Sequence, residues 1–206
     1  MTERARSHSR RRLLLATTNQ GKTRELRAFL YGLPLDIYSF ADFPPKEKFE
    51  ETGQTFMENA RGKSLTYSMD WEDLTLAEDS GIEILHLGGR PGVFSARFAG
   101  SGSSDQENID KALKLMGGVP PEDRTARFVC CLALAQKGQI IEEITGEVEG
   151  ILTEEPRGNS GFGYDPIFLY PPMKKTFAEL TSQEKNRISH RGLALEQLKI
   201  WFEEYS

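Results

Sequence analysis

The feature that most constrains this chain is the order of structural patterns near its start. Residues 12–16, RLLLA, form an apolar run typical of a buried strand, and a turn follows at Asn19–Gly21. A helical pattern then extends from Lys22 to Tyr31, and residues 35–40, LDIYSF, alternate as a half-exposed strand does. Strand, turn, helix and strand in this order open an α/β fold, which is the fold class that we predict.

The rest of the chain continues with strand and helix patterns. Residues 74–85, LTLAEDSGIEIL, predict a strand, an acidic turn and a second strand. The other predicted elements are helices over Thr55–Met69, Asp105–Met116 and Ser182–Phe202, two long strands joined by a hairpin at Lys137–Gly138, and a short strand over residues 167–170. We find neither an internal repeat nor a linker, so residues 13–206 are predicted to form a single domain.

The composition is that of a soluble globular protein, with 38% apolar and 28% charged residues. The net charge of −5 argues against wholesale nucleic-acid binding, and no apolar run approaches the length that spans a membrane. An acidic protein can still bind a small polyanion if it concentrates Lys and Arg locally or recruits a metal cation. Residues 1–12, MTERARSHSRRR, are basic and predict a disordered extension without a secretory signal.

The only two cysteines, Cys130 and Cys131, are neighbours within a predicted strand. Neighbours in a strand point to opposite faces, so a disulfide between them would be strained. We therefore predict two buried structural thiols in a reducing compartment, and a cytoplasmic protein.

The segment LLLATTNQGKT differs from the phosphate-loop pattern G-x-x-x-x-G-K-[ST] at one position, where Ala16 replaces the first glycine. A phosphate loop needs that glycine because its backbone wraps closely round the phosphates, so this interpretation is disfavoured. A strand-end turn at residues 17–19 followed by a helix that carries Lys22 is still a suitable phosphate cradle. An ordinary turn with a surface lysine remains the alternative.

Two acidic pairs, Glu50-Glu51 and Glu78-Asp79, stand at predicted loop or strand ends. Each pair alone is typical of a solvated turn. If the fold brings them together, their mutual repulsion would require a divalent cation, and Mg²⁺ suits carboxylates that share a site with phosphates. A carboxylate that does not bind the metal could accept the proton of an attacking water.

A basic segment and a glycine-rich loop lie near the end of the chain. Lys185 precedes His190 and Arg191 by about one and a half helical turns, so these groups could reach one end of a shared ligand. In the loop GNSGFGYDP, Phe162 or Tyr164 could stack on a flat ring. The alternatives are a solvated basic helix start, a structural histidine, and aromatic rings that pack into the core.

Taken together and in this order, five segments resemble one family. They are LLLATTNQGKTREL, EETGQTFMENARGKS, AEDSGIEILHLGGRPGVFSARFAG, SGFGYDPIF and FAELTSQEKNRISHRG. The chain resembles the ITP/XTP and deoxy-ITP diphosphatases of the Ham1 or RdgB type over almost all of residues 13–202. Each segment alone is a weak signal, but five with the family's order and approximate spacing are specific.

The resemblance implies an elongated, two-lobed α/β fold in which a long mixed sheet is flanked by helices and the active site lies in the cleft between the lobes. It also implies a homodimer. The implied reaction is Mg²⁺-dependent hydrolysis of purine nucleoside triphosphates (ITP, dITP and XTP) between the α and β phosphates, with release of a monophosphate and pyrophosphate. Such an enzyme removes deaminated purines from the nucleotide pool.

The resemblance also implies roles for individual residues. Asp79 would act as proton acceptor and metal ligand, and Glu50 or Glu51 would be the second metal ligand, with Glu50 favoured. The implied phosphate-side contacts are Thr17, Thr18, Asn19, Gln20, Gly21, Lys22, Lys63 and Ser80. The implied contacts around the base and its neighbouring phosphates are Phe162, Gly163, Tyr164, Asp165, Lys185, His190 and Arg191.

The sequence departs from the family pattern in two places. Thr18 stands where many members have glycine, and Glu78 stands where many have aspartate, so the role of Glu78 is open. The dozen N-terminal residues have no counterpart. Two other hypotheses remain at this point: a nucleotide-binding module without turnover, and the same chemistry on modified pyrimidine triphosphates.

Overall fold

The computed structural model describes residues 10–44 and 49–205. Its centre is one seven-stranded mixed sheet with the strand order β2-β1-β3-β4-β5-β6-β7. The strands are β1 (Arg11–Leu15), β2 (Leu35–Ser39), β3 (Leu74–Ile84), β4 (Thr125–Gln136), β5 (Gln139–Leu152), β6 (Phe168–Tyr170) and β7 (Lys175–Thr176). The predicted α/β class and the predicted hairpin between the two longest strands are confirmed.

The α-helices begin at residues whose side chains bind the free N–H groups of the first turn. Asn19 caps the first helix, and Thr55, Ser104 and Thr181 cap the next three, each with a glutamate three residues later in a capping box. The helices are α1 (Gln20–Phe29), α2 (Phe56–Ser68), α3 (Asp105–Leu115), α4 (Ser182–Ile188) and α5 (His190–Tyr205).

Strand β3 is much longer than its parallel neighbour β1, and this difference leaves part of its edge open. Residues 13–15 of β1 pair with residues 74–76, and the Ala16 N–H donates to the Leu76 carbonyl at 2.8 Å. Beyond that bond β3 pairs with the antiparallel β4 and, near its end, forms one isolated bridge between Glu83 and Pro91. Ligands in open α/β sheets bind in the crevice outside the carboxyl ends of the strands, which for β1 is the region beyond Leu15.

The two faces of the sheet are covered by different helices. On one face, β1, β3 and β4 pack against α1 and α5 through residues such as Leu26 and Leu198. On the other face, Phe56 and Ala60 of α2 pack against β4. Cys130 belongs to the first core and Cys131 to the second, so the predicted opposite orientation of these free, buried thiols is confirmed.

Three predictions about the elements are wrong. The predicted acidic turn at Glu78-Asp79 is the middle of the continuous strand β3, because β4 pairs with it along its whole length from Thr75 to Ile84. The predicted single helix over Ser182–Phe202 is two helices, separated at Ser189, which has an extended conformation. The first strand begins at Arg11, one residue before the predicted start at Arg12, so Arg11 does not belong to the predicted extension, whose residues 1–9 lie outside the described part of the chain.

Within the residues that the structure describes, no helix is long and apolar enough to cross a membrane.

Gly146 on β5 provides the close contact with α5, and we expect Gly146→Ala to destabilise the protein. A Cβ atom there would overlap the His190 carbonyl oxygen and lie 2.7 Å from the Ala194 nitrogen. Because both atoms belong to helix backbone, we expect a loss of about 3 kcal/mol in the free energy of unfolding, measured with urea. In the control Gly117→Ala, the nearest atom to the new Cβ is a carbonyl oxygen 3.3 Å away. An equal loss in both variants would contradict the prediction.

Candidate active site

A cavity of about 320 Å³ lies beside the open edge of β3. It is lined by the β1–α1 turn, the segment before α2, the middle of β3, the 162–165 loop and the start of α5. The structure thus brings together nearly all of the residues that the sequence singled out. The predicted residues that do not line the cavity are Gln20, Gly21 and Glu50; Gln20 lies in an adjoining groove instead.

The β1–α1 turn presents a lysine and a helix N-terminus to the cavity. Asn19 Oδ1 accepts the Lys22 N–H at 3.0 Å, and Thr17 Oγ1 accepts the Asn19 N–H at 3.2 Å. The Lys22 ammonium lies 3.2 Å from Glu78 Oε1. A helix N-terminus with an adjacent lysine attracts anions.

Glu78 is the centre of a buried ion network. Arg191 donates to both carboxylate oxygens of Glu78, and the shortest of these bonds runs from Nη2 to Oε1 at 2.8 Å. The Ser80 hydroxyl donates to the same Oε1, also at 2.8 Å. Burial alone would raise the pKa of Glu78, but the charges of Arg191 and Lys22 outweigh it and hold the pKa well below its usual value. Glu78 is therefore an ionised partner of two cations.

The same network extends to α1 and to the 162–165 loop through Glu25. Arg191 Nη1 donates to Glu25 Oε2 at 2.6 Å, and Lys185 Nζ lies 3.9 Å from Glu25 Oε1. Lys185 also donates to Asp165 Oδ2 at 2.6 Å. Burial raises the pKa of Asp165 although the Lys185 charge acts in the opposite direction.

Asp79 lies next to Glu78 in sequence but points to the other face of the sheet. Asn59 Nδ2 donates to Asp79 Oδ2 at 2.9 Å, and the Lys63 ammonium lies 3.8 Å from Oδ1. Burial raises the pKa of Asp79, and the charges of Lys63 and Lys22 only partly offset this effect. A raised pKa is typical of carboxylates that accept protons in catalysis.

Glu51, and not Glu50, lies in the cavity with Asp79. Glu50 is exposed and outside the cavity lining, so the structure does not support the preference for Glu50. Lys63 Nζ donates to Glu51 Oε1 at 2.8 Å and to the Glu78 carbonyl at 2.7 Å. Burial would raise the pKa of Glu51, but Lys63, Lys22 and Arg97 together lower it.

The acids suit a metal that shares its ligands with a substrate. Among the described residues, no group of three or more His, Cys, Asp and Glu side chains is arranged to hold a metal ion. Glu51 and Asp79 instead converge on the Lys63 ammonium from two sides. Because Mg²⁺ is usually held by one or two carboxylates, substrate phosphates and water, these two side chains fit that ion.

The far end of the cavity combines cations with aromatic rings. The Lys185 ammonium and the Arg191 guanidinium lie 4.9 Å and 5.4 Å from the centroid of the Phe162 ring. His190 stacks on Phe128, with 4.7 Å between the ring centroids. His190 lines the cavity, and its buried Nδ1 has no hydrogen-bond partner among the described residues.

Tyr164 and Gly163 hold this loop in place. The Tyr164 hydroxyl donates to the Ser95 carbonyl at 2.9 Å, and the Gly163 N–H donates to Asp105 Oδ2 at 2.7 Å. Tyr164 also belongs to the hydrophobic core, as the alternative interpretation of the loop aromatics predicted. Phe162, in contrast, is only partly buried and lines the cavity.

His190 should make stability depend on pH near neutrality. Burial and the Arg191 charge hold the pKa of His190 well below the usual 6.5. The unfolded chain therefore takes up a proton as the pH falls through 6.5 while the native ring stays neutral. Stability should fall with decreasing pH, by up to about 1.4 kcal/mol per pH unit. Urea unfolding at several pH values between about 5 and 7 should give a shallower slope for His190→Gln.

The exposed His86 provides the control for this experiment. Its substitution, His86→Gln, should leave the slope as in the wild type. A slope that His190→Gln leaves unchanged would contradict the buried, neutral state of the His190 ring.

Among the residues that sequence reasoning missed are Asn59 and Glu25, which bond the acids and cations of the site. Both lie on a helix face with a lysine that was identified: Glu25 is three residues after Lys22, and Asn59 is four residues before Lys63. Residues three or four apart share a helix face, so this spacing was the available signal.

Comparisons with known proteins agree with the geometry. The sequence profile of the Ham1 family matches residues 13–201. The dITP/XTP pyrophosphatase of Bacillus licheniformis is 49% identical over 186 residues, covering 90% of this chain and 95% of that protein. The protein of the same name from Bacillus subtilis is 48% identical over 185 residues, covering 90% and 93%.

Two solved structures have the same fold. The HAM1 protein from Coxiella burnetii matches with a TM-score of 0.86 and 41% identity, covering 94% of this chain and 98% of that one. The Staphylococcus aureus Ham1 protein matches with a TM-score of 0.86 and 35% identity, covering 95% and 100%. Because the family profile covers nearly the whole sequence and the relatives are nearly half identical, this chain belongs to the Ham1 family.

Proposed function

We propose that this protein is a dITP/XTP pyrophosphatase that hydrolyses dITP, XTP and ITP to the monophosphate and pyrophosphate. The observation that carries the proposal is one cavity in which Lys22 and Lys63 lie beside the acids Glu51 and Asp79. The names of the relatives from Bacillus licheniformis and Bacillus subtilis support the choice of substrate.

The phosphates would bind between the β1–α1 turn and α2. Lys22 and Lys63 are now paired with carboxylates, so a triphosphate would draw their ammonium groups toward its own oxygens. The released pyrophosphate develops negative charge, and fixed cations that stabilise this charge lower the barrier. Thr17, Thr18 and Asn19 would orient the chain of phosphates at the start of α1.

We propose Mg²⁺ as the cofactor, held by Glu51 and Asp79 together with substrate phosphates. When bound, Mg²⁺ would neutralise phosphate charge and polarise the reacting phosphoryl group. Asp79 would also accept the proton of the attacking water. Ser80, next to Asp79, would contact the substrate.

Glu78 has a different role. It already forms ion pairs with Arg191 and Lys22, so we assign it to holding these two cations in position.

The base would bind at the end of the cavity formed by Phe162, Lys185, His190 and Arg191. A hydrogen-bond donor there pairs with the 6-oxo group of hypoxanthine or xanthine but opposes the 6-amino group of adenine. An unpaired buried polar group costs several kcal/mol, which corresponds to roughly a thousandfold in rate. Guanine is also a 6-oxo base, but its 2-amino group is a donor where xanthine has a 2-oxo acceptor and hypoxanthine only hydrogen, so its exclusion would come from burying that donor without a partner.

We further propose a cytoplasmic homodimer whose subunits each form one domain with two lobes on either side of the cavity. One sheet that joins all seven strands supports the single domain. The free, buried thiols Cys130 and Cys131 support a reducing compartment.

Incubation with dITP and Mg²⁺ tests the proposal. We expect dIMP and pyrophosphate in equal amounts, with ATP nearly inert, as resolved by ion-exchange chromatography. Orthophosphate as the first product would contradict cleavage between the α and β phosphates. Nucleotide binding with no product over hours would support a module without turnover, and faster cleavage of a modified pyrimidine triphosphate would change the substrate class.

A further inference from the structure

We infer that Asn59 is a positioning residue that holds the Glu51 segment and Asp79 at a fixed separation. This inference rests on the proposed function, because it concerns the acids assigned to metal binding and proton transfer. Asn59 is completely buried. Its Oδ1 accepts the Gly53 N–H at 2.8 Å, and its Nδ2 donates to Asp79 Oδ2 at 2.9 Å.

The chemistry of the two partners fixes the orientation of the Asn59 amide. A backbone N–H can only donate, and a carboxylate can only accept. The oxygen must therefore face Gly53 and the nitrogen must face Asp79. Residue 53 must also be small, because a Cβ atom there would lie 2.7 Å from Asn59 Oδ1.

The segment before α2 is attached to that helix by consecutive side-chain bonds. Glu58 Oε2 accepts the N–H groups of Gln54 and Thr55, at 2.7 Å and 3.2 Å, and Asn59 accepts that of Gly53. Glu51 lies only two residues before Gly53, so the attachment of Gly53 to Asn59 restricts the position of the Glu51 backbone. The bond from Asn59 to Asp79 then relates the segment to β3.

Lys63 also contacts both acids, but it cannot perform the same task during the reaction. Its ammonium bonds Glu51 and the Glu78 carbonyl, and a bound triphosphate would compete for it. The Asn59 amide is neutral and both of its ends are occupied, so it stays in place when Lys63 turns to the phosphates. It also occupies Asp79 Oδ2, which leaves Oδ1 directed toward Lys63.

Mn²⁺ binding in the presence of α,β-methylene-dITP, whose bridge cannot be hydrolysed, tests the inference in full-length protein and is followed by electron paramagnetic resonance. Partners that orient a metal ligand typically contribute 10- to 100-fold in affinity, so we expect Asn59→Ala to weaken Mn²⁺ binding by about that factor. With dITP and Mg²⁺, kcat should fall similarly while KM changes by less than about threefold, because the contacts to the nucleotide remain.

Asn108→Ala is the matched control. Asn108 is a buried helix asparagine that also binds loop backbone, with its Oδ1 accepting the Ala99 N–H at 2.7 Å. Its other bonds, from the Ser103 hydroxyl and to the Ala96 carbonyl, involve no carboxylate. We expect a comparable loss of stability in this variant with Mn²⁺ affinity as in the wild type. A merely structural role of Asn59 would make the two variants equivalent in Mn²⁺ binding.

A second variant and a measurement on the wild type make the result decisive. If Asn59→Ala does not fold, Asn59→Ser replaces it, because the serine hydroxyl cannot reach both partners. In the wild type, Mn²⁺ should broaden the side-chain amide resonances of Asn59, and resonances that keep their intensity would overturn the inference whatever the variants do. Mn²⁺ affinity within about twofold of the wild type in a folded Asn59 variant would also overturn it.

The outcome for the inference is separable from the outcome for the proposed function. A wild-type protein that releases no pyrophosphate refutes the function. Loss of Mn²⁺ affinity in the Asn59 variant would still support the positioning role in that case.

Discussion

Asp79→Asn is expected to lower kcat for dITP hydrolysis by about 10³-fold or more, because asparagine can neither accept the proton of water nor supply the negative charge for Mg²⁺. The fold should survive this change. Burial raises the pKa of Asp79, which means that the native structure disfavours the charged carboxylate. An amide of the same shape carries no charge, so the substitution should not destabilise the fold. Pyrophosphate release measures the activity, and urea unfolding measures the stability.

Asp110→Asn on the exposed face of α3 is the control, since Asp110 lies outside the cavity. This variant should retain wild-type turnover under the same conditions. If Asp79→Asn keeps more than about a tenth of wild-type kcat, Asp79 serves neither as proton acceptor nor as an essential metal ligand.

Arg191→Met should have the largest effect on stability, with a loss of about 3–5 kcal/mol in the free energy of unfolding. Arg191 and Glu78 are both almost completely buried, with exposed fractions of 3% and 2%. Removal of the guanidinium leaves the Glu78 carboxylate in the core with Lys22, 3.2 Å away, as its remaining ion-pair partner within the described part of the chain. Because native domains are stable by only about 5–15 kcal/mol, this loss is a large share of the total.

The double variant Glu78→Gln/Arg191→Met tests whether the loss arises from an unpaired charge. It should be less destabilised than the sum of the single variants, because neither charge then remains buried alone. Urea unfolding of the four proteins gives the coupling energy. Additive losses within about 0.5 kcal/mol would show that the pair is not coupled.

Arg127→Met is the matched control for this cycle. Arg127 bonds Glu83 at 2.6 Å and Glu147 at 3.1 Å, but its side chain is 45% exposed. Ion pairs at such positions contribute about 0–1 kcal/mol, so we expect only a small change.

Elements whose signals are local could be predicted from the sequence. Helix α2 was predicted to within one residue at each end, because Thr55 and Glu58 form a capping box. The β4–β5 hairpin was predicted because Lys137 and Gly138 stand between two long strand patterns, and both residues have the positive φ angles that tight hairpin turns favour.

Elements that depend on distant partners could not be predicted in the same way. Glu78 and Asp79 read as a turn because two charged residues interrupt an apolar run, yet β4 supplies a full ladder of partners on one side. Buried Arg191 and Asn59 then balance the two carboxylates. The break at Ser189 did have a local signal, since its hydroxyl accepts the Gly192 N–H as an N-cap does.

The same distinction applies to the site. Lys22, Lys63 and Arg191 were found through short sequence segments, and all three line the cavity. Glu51 could not be separated from Glu50 because the choice depends on which side chain the loop directs inward. Asn59 was missed because its two partners, Gly53 and Asp79, converge only in the folded protein.

The unequal lengths of β1 and β3 have a consequence for how the family can vary. The cavity exists because β1 stops at Leu15 whereas β3 continues to Ile84, so main-chain geometry sets its depth. Point substitutions in its walls can change charge, selectivity and local width but leave the strand ends that set its depth. An insertion that lengthened β1 along its neighbour would fill it, so the short turn before α1 should tolerate exchanged side chains far better than added residues.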